Sequence, residues 1–259
     1  MDNKKLKVGL YGFTGCNGCQ LTIIHTEDRL LEFFEATDIK SFSLAKSDND
    51  DSELDIALVE GSICNQEQGS HLKDIRKRTK TLVAIGTCAC YGGVQSMELG
   101  AKGWDKRLKK VYGDNNFSNR TPIESKPIDV FVDVDHYLPG CPINADQFFY
   151  FFANLLQENE PIFPDYPVCY ECRLKENDCL LLKDILCLGP ITAAGCGARC
   201  PSHNLPCMGC WGPMKEANFT SEFDLLKEKN FSIQEIKNRF RIFSGSATMK
   251  PLKKILGEL

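Results

Sequence analysis

Short runs of apolar residues alternate with helical patterns along the N-terminal part of the chain. Four runs, each flanked by Gly, Pro or acidic residues, predict buried strands at residues 6–11, 55–60, 82–85 and 128–134. Apolar residues at helical spacing predict helices at residues 20–35, 70–78 and 143–157. This alternation predicts an α/β fold, in which helices cover both faces of a mainly parallel, doubly wound sheet.

The pattern changes between residues 160 and 167, where three prolines interrupt the preceding helical pattern. The chain beyond this point is rich in Gly, Pro and Cys. Its total length is near the upper limit for a single hydrophobic core. The sequence therefore predicts two domains, residues 1–160 and residues 161–259, of which the second is small and loop-rich.

The overall composition is typical of a soluble protein, with 42% hydrophobic residues, 25% charged residues and a formal net charge of -4. It offers no basic patch for nucleic acid. No run of about 18 apolar residues predicts membrane insertion, and the N-terminus has no apolar leader with a small-residue cleavage site. We therefore expect a cytoplasmic location.

Cysteine separates this chain from an ordinary α/β protein. It occurs fourteen times, and eight of these residues lie between positions 169 and 210. In a reducing cytoplasm a cysteine-rich protein is expected to bind metal or carry redox chemistry, and disulfide bonds are the less favoured alternative. Because iron-sulfur clusters usually take four thiolates each, twelve of the fourteen cysteines would fill three clusters.

Four cysteines follow predicted strands, and we call them the first set: Cys16, Cys19, Cys88 and Cys141. Ligands of open α/β sheets bind beyond the carboxyl ends of the strands, so these thiols are expected to meet at one edge of the sheet. The glycines around Cys16 would also suit a phosphate-binding loop. Their spacing is not G-x-G-x-x-G, and two thiolates in the loop disfavour an anionic phosphate there.

The clustered cysteines divide, in chain order, into two further groups of four. The second set is Cys169, Cys172, Cys179 and Cys187, and the third set is Cys196, Cys200, Cys207 and Cys210. Paired C-x2-C elements also build structural zinc sites, which leaves a zinc-stabilised, non-redox binding protein as an alternative. The first set favours iron-sulfur clusters, because a chain of redox centres has a use that a chain of zinc ions lacks.

Six motifs extend the pattern over almost the whole chain: Thr14-Gly-Cys16-Asn-Gly-Cys19, Val59-Glu-Gly-Ser62, Gly86-Thr-Cys88-Ala89, Leu138-Pro-Gly-Cys-Pro142, Cys187-Leu-Gly-Pro190 and Pro206-Cys-Met-Gly-Cys210. In kind and order they resemble the small, electron-transferring subunit of nickel-iron hydrogenases. The resemblance implies a flavodoxin-like first domain and a hetero-oligomeric oxidoreductase. It places the nickel-iron centre on a separate large subunit, so this chain would hold no catalytic residue.

The resemblance also implies a role for each set. The first set is similar to the ligands of the proximal cluster, the third set to those of the medial cluster and the second set to those of the distal cluster. Exported members of the family have His where Cys169 stands, and only three cysteines at the medial site. The presence of Cys169 and Cys200 therefore implies three 4Fe-4S clusters and a resemblance to cytoplasmic hydrogenases, above all to the sulfhydrogenase delta type.

Such a relay implies two partners. One is the hydrogenase large subunit, which would exchange electrons with the proximal cluster. The other is a subunit with flavin and further iron-sulfur clusters that reduces NAD(P), or in related assemblies a partner that serves a deazaflavin or a heterodisulfide reductase.

Two alternatives concern the assignment of the clusters and of the family. In bacterial ferredoxins the fourth cysteine of one run serves the other cluster, and on that scheme Cys187 and Cys210 would exchange. The related subunit of quinone-reducing respiratory complexes has adjacent cysteines in place of Cys16 and Cys19, and it lacks the C-terminal sets.

Four further residues are candidates for roles near the clusters. Cys64 and Cys90 lie outside the three sets and are expected to be small buried apolar residues, with ligand substitution as the alternative. Glu60, at the end of a predicted strand, is expected to accept structural hydrogen bonds rather than pass protons. His203 is expected at the surface, although it could tune a cluster by donating to sulfur.

Overall fold

A five-stranded parallel sheet organises the N-terminal part of the chain. The computed structural model, which describes residues 5–97, 103–113 and 121–258, has these strands: β1 (Leu6–Gly12), β2 (Thr37–Phe42), β3 (Leu54–Glu60), β4 (Ile63–Asn65), β5 (Thr79–Ile85), β6 (Pro122–Lys126) and β7 (His136–Leu138). The order in the large sheet is β2-β1-β3-β5-β7, while β4 and β6 form a separate antiparallel pair. Counted within the large sheet alone the order is 2-1-3-4-5, which is flavodoxin-like and confirms the predicted fold class.

The described helices are α1 (Gly18–Ile24), α2 (Asp28–Ala36), α3 (Gln66–Lys77), α4 (Gly86–Tyr91), α5 (Trp104–Tyr112), α6 (Ala145–Leu156), α7 (Val168–Leu174), α8 (Phe219–Glu228), α9 (Ile233–Arg241) and α10 (Gly245–Ile255). The helices predicted at 70–78 and 143–157 correspond to α3 and α6. The single helix predicted at 20–35 is wrong, because α1 and α2 are separated by a turn in which Glu27 has a left-handed φ of 48°. Among the described residues, no helix is long and apolar enough to cross a membrane.

The strand predicted at residues 128–134 is also wrong. A short 3-10 turn occupies Ile128–Val130, and the chain enters the sheet only at β7. The apolar residues of this run, Ile128 and Phe131 among them, instead pack against one face of the sheet. Asp135, just before β7, accepts the backbone N–H of Leu82 over 2.7 Å, so the polar residue at the end of the run marks where pairing with β5 begins.

Both faces of the sheet are buried, and alternate residues of its strands belong to different cores. Ile56 and Leu58 of β3 belong to one core, which α6 completes with Phe148 and Phe151. The alternate residues Ala57 and Val59 belong to a second core with residues from α3 and α4. Since successive side chains of a strand point to opposite faces, the near-continuous apolar run of β3 reflects helices on both sides.

A third core contains only residues from Val168 onward, including Leu226, Ile236, Phe240 and Leu252 of helices α8 to α10. These three helices were not predicted from the sequence. Residues 175–218, which carry six of the eight C-terminal cysteines, do match the predicted loop-rich character. Their described helical structure is limited to two 3-10 turns, Leu180–Lys183 and Pro201–His203.

Candidate metal-binding sites

The four thiols of the first set meet at the carboxyl edge of the large sheet. Cys16 and Cys19 follow β1, Cys88 lies in α4 directly after β5, and Cys141 follows β7. Burial raises the pKa of Cys88 to about 11, and the nearby sulfur atoms of Cys141 and Cys16 add to that rise, while a hydrogen bond to Gln95 opposes it. The thiols are thus close enough to influence one another's ionisation.

Glu60 fixes the position of Cys19. At the end of β3, and only 3% exposed, it accepts the backbone N–H of Cys19 over 3.0 Å and that of Gln20 over 3.2 Å. The side-chain amide of Gln20 donates a third bond over 3.0 Å. These contacts satisfy free N–H groups of the first turn of α1, which is the structural role expected for Glu60.

Two glycines leave room for sulfur at this edge. A Cβ on Gly86, which has a φ of 79°, would lie 2.3 Å from the sulfur of Cys19. A Cβ on Gly93, with a φ of 64°, would lie 2.7 Å from the sulfur of Cys88. The backbone therefore lies so close to these two sulfur atoms that only glycine fits at the two positions.

Cys90 and Cys64 point away from the first set. Cys90 is 2% exposed in the second core, and its thiol donates to the carbonyl of Ala84 over 3.5 Å. Cys90 lies only two residues from Cys88, but α4 is a helix at this point, so the two side chains do not share a face. The sulfur of Cys64 lies 2.8 Å from the hydroxyl of Thr14, in a hydrogen-bonded rather than an apolar environment.

The four residues of the second set line a single cavity of about 390 Å³. Cys169 and Cys172 lie in α7, Cys179 precedes a 3-10 turn, and Cys187 follows it. Burial raises the pKa of Cys169 to about 12, and the Cys187 and Cys172 sulfur atoms add to the rise.

The third set lines a different cavity, together with Cys141, Pro142 and Trp211. Burial raises the pKa of Cys210 to about 12, and the nearby sulfur atoms of Cys196 and Cys200 add to the rise. Cys187 lines the cavity of the second set and Cys210 that of the third. This grouping favours the sequential sets over the exchange of Cys187 and Cys210 found in ferredoxins.

The third set lies between the other two. Toward the first set, the Thr87 hydroxyl donates to the carbonyl of Cys210 over 2.5 Å, and Cys141 lines the same cavity as the third set. Toward the second set, the backbone N–H of Cys207 donates to the sulfur of Cys187 over 3.2 Å. The three sets are therefore connected in the order first, third, second.

The donor chemistry fits iron-sulfur clusters. Each set brings four sulfur atoms to one place, and each set includes one buried cysteine: Cys19, Cys187 and Cys207. Burial raises the pKa of most of these thiols, so proton release would accompany metal binding. Among the described residues, no three His, Cys, Asp or Glu side chains converge closely enough to hold a single metal ion.

Several side chains around the C-terminal sets had no distinguishing signal in the sequence. Glu171 accepts two backbone N–H groups beside Cys196, and Arg239 donates to the carbonyl of Leu186 over 2.6 Å. The carboxyl of Glu222 is 2% exposed and has no hydrogen-bond partner in the described part of the chain. Burial raises the pKa of Glu222 to about 8. His203 is exposed, as expected.

Comparison with known proteins agrees with this geometry. Residues 16–155 match the family model of the NADH ubiquinone oxidoreductase 20 kDa subunit. The chain is 38% identical to the sulfhydrogenase 2 subunit delta of Pyrococcus furiosus, over 92% of this chain and 99% of that protein. It is 34% identical to one subunit of the F420-non-reducing hydrogenase vhu of Methanocaldococcus jannaschii, over 80% and 82% of the two chains.

One solved structure extends the comparison to three dimensions. A chain of an NAD+-reducing [NiFe]-hydrogenase in the H2-reduced state aligns with a TM-score of 0.57 and 31% identity. The alignment covers 62% of this chain and 96% of that one.

Proposed function

Since the chain belongs to the family of the NADH ubiquinone oxidoreductase 20 kDa subunit and is a hydrogenase subunit of the small, nickel-iron type, we propose that it relays electrons through three 4Fe-4S clusters. The first set would hold the proximal cluster, the third set the medial cluster and the second set the distal cluster. The relay would run between the nickel-iron centre of a large subunit and a flavin- and iron-sulfur-containing partner.

The observation that carries the proposal is the connected order of three four-cysteine sets. Hydrogen bonds join neighbouring sets, from Thr87, next to Cys88, to the carbonyl of Cys210 on one side and from Cys207 to the sulfur of Cys187 on the other. When bound, iron-sulfur clusters supply reversible one-electron oxidation and reduction. The chain's own part is to hold the sulfur atoms in place, exclude water from them and direct N–H groups at them.

The two ends of this series suggest where partners dock. Cys16 and Cys141 are exposed at the sheet edge, where a large subunit would cover the proximal site. Cys179 is exposed at the opposite end, where an electron acceptor would dock. The NAD+-reducing hydrogenase among the similar structures supports a flavin partner that reduces NAD(P), and the F420-non-reducing relatives support the alternative acceptors.

The proposal includes two further points. Residues 1–160 would form the domain with the proximal site and residues 161–259 the module with the other two, which agrees with a third core made only of residues from Val168 onward. The complete cysteine complement of the second and third sets supports a cytoplasmic enzyme.

Metal analysis of the anaerobically purified chain tests the proposal. We expect about twelve irons and about as many acid-labile sulfides per chain, and Cys172→Ser and Cys200→Ser should each remove about four irons. A matched change, Cys64→Ser, should remove none. Stoichiometric zinc without sulfide would overturn the proposal in favour of a zinc-stabilised binding protein.

A further inference from the structure

Helix α7 contacts the loop of the third set while carrying two ligands of the second. Glu171 lies between Cys169 and Cys172 on this helix, and both of its carboxylate oxygens accept backbone N–H groups from residues 195–198. Gly195 donates to Oε1 over 2.9 Å, and Ala198 donates to Oε2 over 3.1 Å. A side chain of one set thus holds the backbone that carries Cys196 of the next.

The loop that Glu171 holds is locally strained. Gly195 and Gly197 have φ values of 121° and 63°, and Ala198 has a φ of 48°. A left-handed conformation costs a non-glycine residue about 1–2 kcal/mol. Turns of this kind point successive N–H groups inward to form a concave anion site, and here the carboxylate of Glu171 accepts two of those groups.

A second charged side chain contacts the loop from the end of this helix. Lys175, which directly follows α7, donates to the carbonyl of Gly197 over 2.6 Å. Glu171 accepts N–H groups of the loop and Lys175 donates to one of its carbonyls, so two opposite charges hold the loop. Lys175 is exposed, whereas Glu171 is half-buried, so solvent screens the lysine more strongly.

Glu171 also places a carboxylate beside a sulfur of the third set. Its Oε2 atom is 3.9 Å from the sulfur of Cys196, and the N–H of Ala198, two residues after that cysteine, donates to the same oxygen. Hydrogen bonds to sulfur and net charge nearby both tune iron-sulfur potentials. Removing the carboxylate would delete a negative charge beside that sulfur, and this change raises the reduction potential.

We propose that Glu171 is a positioning residue for the medial site: it fixes Cys196 through the loop at residues 195–198 and keeps the medial reduction potential low. The inference rests on the proposed function, because it requires a cluster at the third set. Glu171 is not a ligand, and it acts through the backbone of Gly195 and Ala198.

The test is a redox titration of the anaerobically purified holoprotein, followed by electron paramagnetic resonance. Glu171→Gln should shift the medial potential upward and leave the other two unchanged. Lys175→Met loosens the same loop but removes a positive charge, so it should produce a smaller downward shift. Glu228→Gln, on the exposed surface of α8, removes one negative charge away from the loop and should shift none of the three potentials.

The outcomes separate this inference from the proposed function. Wild-type protein without 4Fe-4S signals would overturn the proposed function itself. Three wild-type clusters with an unshifted medial potential in Glu171→Gln, or shifts of the same sign in Glu171→Gln and Lys175→Met, would overturn only the role of Glu171.

Amide exchange of the loop provides a readout that does not depend on the potentials. In holoprotein carrying Glu171→Ala, exchange at Gly195 and Ala198 should accelerate by at least about tenfold, while exchange in β1 stays as in the wild type.

If Glu171→Gln fails to assemble its medial cluster, Lys175→Met decides: a downward shift supports the inference, and an unchanged or raised potential contradicts it.

Discussion

The first set and the two C-terminal sets are built in opposite ways. The thiols of the first set come from distant parts of the chain, and each follows a strand of a sheet whose two faces are buried. The second and third sets come from one continuous stretch, residues 169–210. In that stretch the described helical structure is α7 and two 3-10 turns.

The difference lies in what supplies the stability of each region. At the first set, buried side chains of β1, β3 and β5 pack against helices in two extensive hydrophobic cores. In the C-terminal stretch two thiols, Cys187 and Cys207, are members of the hydrophobic core, whereas the first set contributes only Cys19 to its core. The stretch also has left-handed φ values at Asp184, Ala198 and Asn204, whereas the loop of the first set has one at Asn17. If the proposed clusters are bound, we expect this strained, loop-rich segment to depend on its metal for folding.

Removal of iron should therefore have the largest effect of all the changes, and it should affect the C-terminal stretch more than the sheet. After anaerobic chelation we expect amide protection to fall by more than about a hundredfold in residues 175–218 and to stay within about tenfold of the starting value in β1, β3 and β5. Hydrogen exchange followed by mass spectrometry measures both regions in one sample. Equal loss in the two regions would show that the sheet also needs its cluster, and the contrast would disappear.

Glu60 offers a test of the opposite kind, at a site held by protein contacts. Glu60→Ala removes three hydrogen bonds at the first turn of α1 and leaves buried N–H groups without acceptors. The expected loss is about 3 kcal/mol of unfolding free energy, together with a weakened proximal site. Urea unfolding and iron content measure the two effects.

A control for Glu60 is Glu32→Gln, which changes an exposed carboxylate of α2 and should alter stability by less than about 0.5 kcal/mol. If Glu60→Ala lowered iron content at the C-terminal sets as strongly as at the first set, the independence of the two regions would be wrong.

The sequence indicated the sheet far better than the elements that connect it to the sites. The apolar runs of β1, β3 and β5 are nearly continuous because both faces of the sheet are covered, and this pattern is visible without a structure. The run at residues 128–134 has similar composition, yet its residues pack on the sheet from outside. A local pattern cannot distinguish apolar residues within a strand from apolar residues that lie on a sheet.

Cysteine spacing grouped the thiols but did not reveal what holds them. The sequential grouping of Cys187 and Cys210 agrees with the cavities they line. Glu171 and Arg239 contact backbone groups that are remote in sequence, so no spacing rule predicts them. The role of Glu60 was easier to predict from the sequence, because its position at the end of β3 places it at the sheet edge where the first set lies.

Gly86 tests how closely the backbone approaches sulfur at the first set. Gly86→Ala would place a Cβ 2.3 Å from the sulfur of Cys19, at a φ of 79°. Displacing the thiol of Cys19 in a packed site adds an overpacking cost of about 2 kcal/mol to the strain of the left-handed backbone. Unfolding free energy and iron content are the measurements, and we expect both to fall.

Gly103→Ala is the matched control for Gly86→Ala. Gly103 has nearly the same conformation, with a φ of 80°, but a Cβ there would meet nothing within 4 Å. It should lose about 1 kcal/mol from backbone strain alone and keep all its iron. Equal losses for the two variants would mean that the close approach to Cys19 has no energetic consequence.

Substitution of Cys90 should have the smallest effect, and it tests which cysteines belong to the first set. Cys90 lies only two residues from Cys88, but its thiol is buried in the second core and donates to Ala84. Cys90→Ala should cost about 1 kcal/mol, through loss of packing and a weak hydrogen bond, and leave about twelve irons. Cys88→Ala should remove about four irons. A loss of iron in Cys90→Ala would make Cys90 a ligand, and the helical geometry of α4 would then not decide which thiol reaches the metal.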